Sequence, residues 1–142
     1  MEQLNSIIFY TIDKSIRTYR QYAQRQLKNA GYSITIDQWL IIKTVLENPD
    51  IKQNEIGEMV FKDNASVTRI IELLVKAKYL KRTSNNEDRR RTDLEVTEKG
   101  IHTISEVQEI VLQNRATALK GISKSDLGIV KSALMRITKN CQ

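Results

Sequence analysis

A chain of 142 residues, 40% hydrophobic and 28% charged, is long enough to bury a core and too apolar to stay disordered. Its formal charge of +6 and pI near 9.5 favour an anionic partner: nucleic acid first, an acidic membrane surface second, with plain solubility as the bland alternative. A single cysteine, Cys141, excludes an intramolecular disulfide framework, and no apolar run approaches the ~18 residues of a membrane span.

The opening run MEQLNSIIFYTIDKS carries Glu2 where a secretory signal would carry a basic segment. A cytoplasmic protein with no membrane partner is the simplest expectation. Leu4, Ile8, Ile12, Ile16, Tyr19, Ala23, Leu27 and Ala30 recur at steps of three or four, the spacing of one helical face. Gly31 supplies a stop. Thr35 stands three residues before Gln38, a capping-box spacing, and opens a second helix through DQWLIIKTVLEN. Asn48-Pro49-Asp50 ends it, because proline lacks an N–H and biases its predecessor away from helix.

KQNEIGEMV follows as a short helix, with Ile56, Met59 and Val60 on one side. The next helix begins at Asp63 or Asn64, both good N-caps. Its apolar stripe is Val67, Ile70, Ile71 and Leu74, and its other face carries Ser66, Arg69, Glu72 and Lys76, with Asn64 and Thr68 near the start. Two short strands are expected around Leu80–Thr83 and Thr92–Val96, the second alternating polar and apolar residues. Asn85-Asn86 suits the tip between them. Thr97 caps a long helix running to about Leu119. Ser123 and Asp126 repeat the capping spacing before a last helix with Leu127, Val130, Leu134 and Ile137 in line.

The expected fold is therefore mainly α with a small β-hairpin, in one domain spanning 1–142. A short helix, a turn, an amphipathic helix and a hairpin make a winged helix-turn-helix core over 35–97, with its wing at 80–97. Helices at 1–31 and 98–142 flank it. The second helix of such a pair fits the major groove of double-stranded DNA, where its N-terminal residues meet base edges. Here those are Asn64, Ser66, Thr68 and Arg69; Arg69 can bond bidentately to guanine or to phosphate, and sequence alone does not separate base from backbone contact. Lys52, Gln53 and Lys62 are weaker candidates for the DNA backbone.

Lys81 to Arg91 holds five basic and two acidic residues, a net +3 that is half the charge of the whole chain. A narrow minor groove concentrates negative potential, so Arg89, Arg90 and Arg91 at a hairpin tip suit it. Asp88 is the odd member, and the expectation is that it pairs with a neighbouring arginine and braces the tip.

The run DNASVTRIIELLVKAKYLKRTSNNEDRRRTDLEVTEKG, with SVTR opening the recognition helix, EDRR in the wing and TEKG opening the next helix, resembles the MarR family of multiple antibiotic resistance regulators. TIDQWLIIKTVLEN and KQNEIGEMV extend the likeness more weakly over the rest of the chain. The resemblance implies a homodimer whose terminal helices form the dimerisation region. It implies recognition helices in successive major grooves of a pseudo-palindromic operator, with wings in the adjacent minor grooves. A repressor relieved by a small-molecule effector is the expected mode. An activator, a ligand-independent regulator, and a protein-interaction or RNA-binding module are the alternatives.

The resemblance also implies an effector pocket lined by the first, second and fifth helices, for which Tyr10, Trp39 and His102 are candidates, with plain core residues as the competing reading. Phe61-Lys62 departs from the family's glycine and apolar residue; Phe61 is expected to pack under the recognition helix. Gly57 replaces a usual alanine, at a cost of roughly 1 kcal/mol. Relatives that sense oxidants do so through a cysteine near the N-terminus, which this chain lacks, and one histidine suits zinc sensing poorly. No cofactor and no metal is expected. His102 and Cys141 lie on different elements with no third partner, and no phosphate-binding glycine loop is present, so no catalytic residues are assigned.

Overall fold

The computed structural model describes residues 1–142. Six helices run in chain order: α1 Ile8–Asn29, α2 Ile36–Glu47, α3 Gln53–Val60, α4 Asn64–Lys76, α5 Glu98–Ala118 and α6 Lys124–Asn140. Strands β1 Leu80–Ser84 and β2 Thr92–Val96 lie between α4 and α5. A single 3₁₀ turn, Leu4–Ser6, precedes α1, so the apolar spacing that begins at Leu4 enters the helix only at Ile8.

Local chemistry explains the boundaries. Gly31 adopts φ +88°, a left-handed turn that ends α1. At the start of α2 the Thr35 hydroxyl accepts from the Gln38 N–H and the Gln38 side chain accepts from the Thr35 N–H, both at 3.0 Å. The Thr97 and Ser123 hydroxyls cap α5 and α6 by accepting from the N–H groups of Gly100 and Asp126, without the return bond. The hairpin is antiparallel, pairing Leu80 with Val96 and Ser84 with Thr92.

One core holds the winged portion together. Ile41, Ile42 and Val45 of α2, Ile56 of α3, Val67, Ile71 and Leu74 of α4, Leu80 of β1 and Val96 of β2 are all buried in it. Leu27 of α1 and Ile104 and Val107 of α5 join from above. The hairpin is thereby anchored at its base, through Leu80 and Val96, while its tip projects.

The remaining helices are covered differently. α6 buries none of its residues, and Ile129, Val130, Leu134 and Met135 are exposed along it. Leu4, Ile8, Phe9 and Ile16 are likewise exposed at the other end of the chain. Apolar surface on this scale, on helices that a single chain does not cover, is unusual for a monomer. No helix is long and apolar enough to cross a membrane.

Candidate nucleic-acid interface

The recognition helix α4 is set by its cap. Asp63, not Asn64, is the N-cap: its carboxylate accepts from the Ser66 N–H at 2.8 Å and from the Ser66 hydroxyl at 3.1 Å. These two bonds hold the Asp63 carboxyl below the usual carboxylate range, and the Arg69 charge adds to the effect. The Ser66 hydroxyl proton is thus engaged within the cap. Thr68 donates to the Asn64 carbonyl at 2.8 Å and accepts from Gln53 Nε2 at 2.6 Å. Arg69 is exposed and forms no ion pair. Near the start of this face it is a cation free to meet a ligand.

The turn before α4 departs from expectation. Phe61 does not pack under the recognition helix; it is 88% exposed, with φ +62°. The chain reverses at this residue, and the left-handed backbone that achieves the reversal points the side chain outward. That conformation is one glycine adopts freely, which gives the family's glycine at this place its physical reason. Lys62 is half-buried, and its ammonium lies 3.1 Å from Asp37, which also lies 3.5 Å from Arg20 of α1. Lys52 is exposed, its own N–H bonded to Glu55 at 3.1 Å.

Gly57 has a packing role as well. A Cβ there would lie 2.8 Å from the Lys62 carbonyl oxygen, so the close crossing of α3 and the turn needs the missing side chain.

The wing tip is a built loop. Asn85 Oδ1 accepts from the N–H groups of Glu87 and Asp88, both at 2.9 Å, an Asx-type turn. Asp88 pairs with no guanidinium: its carboxylate accepts the backbone N–H of Arg90 at 3.0 Å, and its carbonyl accepts that of Arg91 at 3.1 Å. The guanidinium pair belongs to other residues. Arg91 Nε donates to Asp93 at 2.8 Å, and Arg91 Nη2 donates to the Asp50 carbonyl. Arg89 and Arg90 are exposed and have no side-chain partner.

Asp93 and the Asp50 carbonyl, which hold Arg91, are contacts that the sequence does not single out, whereas Asn85 is marked there as a tip residue. Asp93 is findable in part, since an acid two residues from Arg91 is a near partner of opposite charge. The Asp50 carbonyl lies 41 residues away and has no sequence signal.

A cavity of about 200 Å³ lies between α1, α2 and α5. Ile16, Ile36 and Leu40 give it apolar walls; Arg20, Trp39, Asn114 and Arg115 supply the polar groups. Trp39 Nε1 is buried and meets no acceptor. Tyr10 and His102 are not part of it. Tyr10 is in the first turn of α1, well before Ile16, and His102 is near the start of α5, exposed, with its Nε2 3.1 Å from Glu106. Nowhere do three or more His, Cys, Asp or Glu side chains gather as a metal site. Cys141 is exposed at the end of α6.

A short helix, a turn, a capped amphipathic helix and a two-stranded hairpin on one core define a winged helix-turn-helix protein. Residues 34–92 match the model of the MarR family. The regulator SarZ of Staphylococcus epidermidis is 26% identical over 94 residues, which is 66% of this chain and 60% of SarZ. The chain thus spans less than two thirds of the length of these curated relatives. The solved structure of the transcriptional regulator SlyA is 25% identical, with a TM-score of 0.82 over 94% of this chain and 93% of that one. A mutant MarR from E. coli complexed with operator DNA shares the fold, with a TM-score of 0.84, 17% identity, and coverage of 96% and 99%. The winged helix-turn-helix portion of the chain, residues 34–92, is thus similar to the MarR family of transcriptional regulators.

Proposed function

We propose that the protein is a homodimeric, sequence-specific DNA-binding regulator that occludes a promoter by binding a pseudo-palindromic operator. The observation that carries this reading is the pairing state of the cations. Arg69 on α4 and Arg89 and Arg90 at the wing tip are exposed and unpaired, on the two elements that a winged helix-turn-helix presents to adjacent grooves. Ser66 and Asn64 flank Arg69 at the helix start, and Lys52 stands at the start of α3, a place suited to a phosphate. The residues at 1–31 and 98–142 form the dimerisation region: α1 and α6 expose apolar stripes for which a second copy is the natural cover.

The cavity between α1, α2 and α5 is the effector site in this reading. Its basic groups, Arg20 and Arg115, and the buried Trp39 N–H suit a small ligand that carries an acceptor. A ligand that binds best to a dimer with misplaced recognition helices relieves repression through that difference in affinity.

A salt-titrated binding assay on DNA from upstream of its own gene tests this, with Arg69→Ala and Arg89→Ala beside the wild type. Each substitution weakens binding, and Arg69→Ala lowers the slope of log affinity against log salt by about 1, the share of one neutralised phosphate. Equal binding by all three proteins, or no preference among sequences, rules the operator reading out.

A further inference from the structure

The sequence groups Arg91 with Arg89 and Arg90, and the structure separates it from them. Its side chain is only 28% exposed, and that of Asp93 is 22% exposed. Nε donates to Asp93 Oδ1 at 2.8 Å, while Nη2 donates to the Asp50 carbonyl in the turn between α2 and α3. The second oxygen of Asp93 accepts from Asn85 Nδ2 at 2.9 Å, and Asn85 in turn holds the N–H groups of Glu87 and Asp88. One connected set of hydrogen bonds therefore runs from the body of the protein, through Arg91 and Asp93, to the loop that carries Arg89 and Arg90.

We propose that Arg91 is a positioning residue: it latches the wing to the α2–α3 turn and sets the angle at which Arg89 and Arg90 enter the minor groove, without itself touching DNA. This rests on the reading that the wing docks on DNA. A two-stranded hairpin is marginally stable alone, and the apolar packing that anchors this one, through Leu80, Leu94 and Val96, stops short of the tip. Beyond that packing, the tip needs a second tether to keep a fixed direction. The planar guanidinium fork supplies it, because it offers two donors at a fixed angle to two acceptors on different elements. A lysine carries the same charge as a single point and cannot hold both.

The charge of Asp93 gives a test whose sign separates the two roles. Removing an acid from a basic surface strengthens DNA binding if nothing else changes, because one repulsion is lost. If Asp93 anchors the latch, removing it weakens binding instead. The experiment compares Asp93→Ala, Arg91→Gln and Arg91→Lys with the wild type. It measures affinity for operator-bearing DNA and, without DNA, amide hydrogen exchange at residues 85–91.

The latch predicts faster exchange in this loop for all three variants. It predicts weaker binding of about tenfold for Asp93→Ala despite the gain of positive charge. It also predicts that Arg91→Lys binds as weakly as Arg91→Gln. Unchanged exchange in Arg91→Gln and Asp93→Ala overturns the proposal whatever the DNA does. Faster exchange with undiminished affinity overturns the positioning role. Full rescue by Arg91→Lys makes Arg91 a direct DNA ligand and overturns it too. A wild type that binds no DNA defeats the functional reading separately, and the exchange arm then decides the latch alone.

Discussion

Gln53 donates to the Thr68 hydroxyl at 2.6 Å, and that bond ties the first turn of α3 to the second turn of α4. Thr68 sends its own proton to the Asn64 carbonyl. Its hydroxyl is therefore engaged inside the helix pair, and it fixes the angle between the two helices more than it offers a donor to phosphate. Thr68→Val keeps the shape and removes the bond. The expected cost is about 1 kcal/mol in urea unfolding, with the salt slope of DNA binding unchanged. Arg69→Ala should do the reverse, leaving stability intact and lowering the slope.

Phe61 holds a left-handed backbone with its ring in solvent. An L residue in that region is strained by roughly 1–2 kcal/mol, part of which glycine returns through the entropy of its unfolded chain. Phe61→Gly should stabilise the protein by about 0.5–1 kcal/mol in chemical denaturation. A loss of stability would count against strain at this residue and favour a packing partner for the exposed ring, as in the proposed dimer.

Helix propensity alone says that Gly57→Ala gains about 1 kcal/mol. The 2.8 Å approach of a Cβ to the Lys62 carbonyl says otherwise, because the acceptor is backbone that also fixes the start of the turn. The expected result is a loss of about 1–3 kcal/mol, the range of an overpacked site. Thermal or urea unfolding of this single variant decides between the two arguments.

Much of this fold is legible in local sequence because its boundaries are local chemistry. Thr35, Thr97 and Ser123 each accept from the residue three places on, and a capping spacing is visible without tertiary information. β2, Thr92–Val96, shows its alternation directly. What stays hidden depends on partners distant in the chain. Lys62 meets Asp37 and Arg91 meets Asp50 because the fold brings them together. Tyr10 and His102 suit a pocket by residue type, but their places on α1 and α5 put them turns away from the cavity that Trp39 lines. The direction of Phe61 follows from one dihedral angle that its residue type disfavours.

The cap of α4 carries a pH dependence. Asp63 is held below its ordinary range by the Ser66 N–H and hydroxyl, so its folded value lies below its unfolded one. Such a group contributes its full stabilisation above the unfolded value and loses it as pH falls through the folded value. The start of α4 should therefore fray only in acid, at the low end of carboxylate titration, with no change near neutrality. The Ser66 amide shift followed by NMR against pH reports this. Asp63→Asn, which still caps but does not titrate, should flatten the curve.

The central claim is two-fold recognition of a DNA site, and half-site spacing tests it most directly. Selection of binding sequences from a random duplex pool should recover an inverted repeat with half-sites about one helical turn, roughly 10 base pairs, apart. Lengthening the spacer by about half a turn, which rotates one half-site to the opposite face of the duplex, should return affinity at fixed salt to the non-specific level. An unordered pool, or an affinity indifferent to the inserted half turn, would contradict the account.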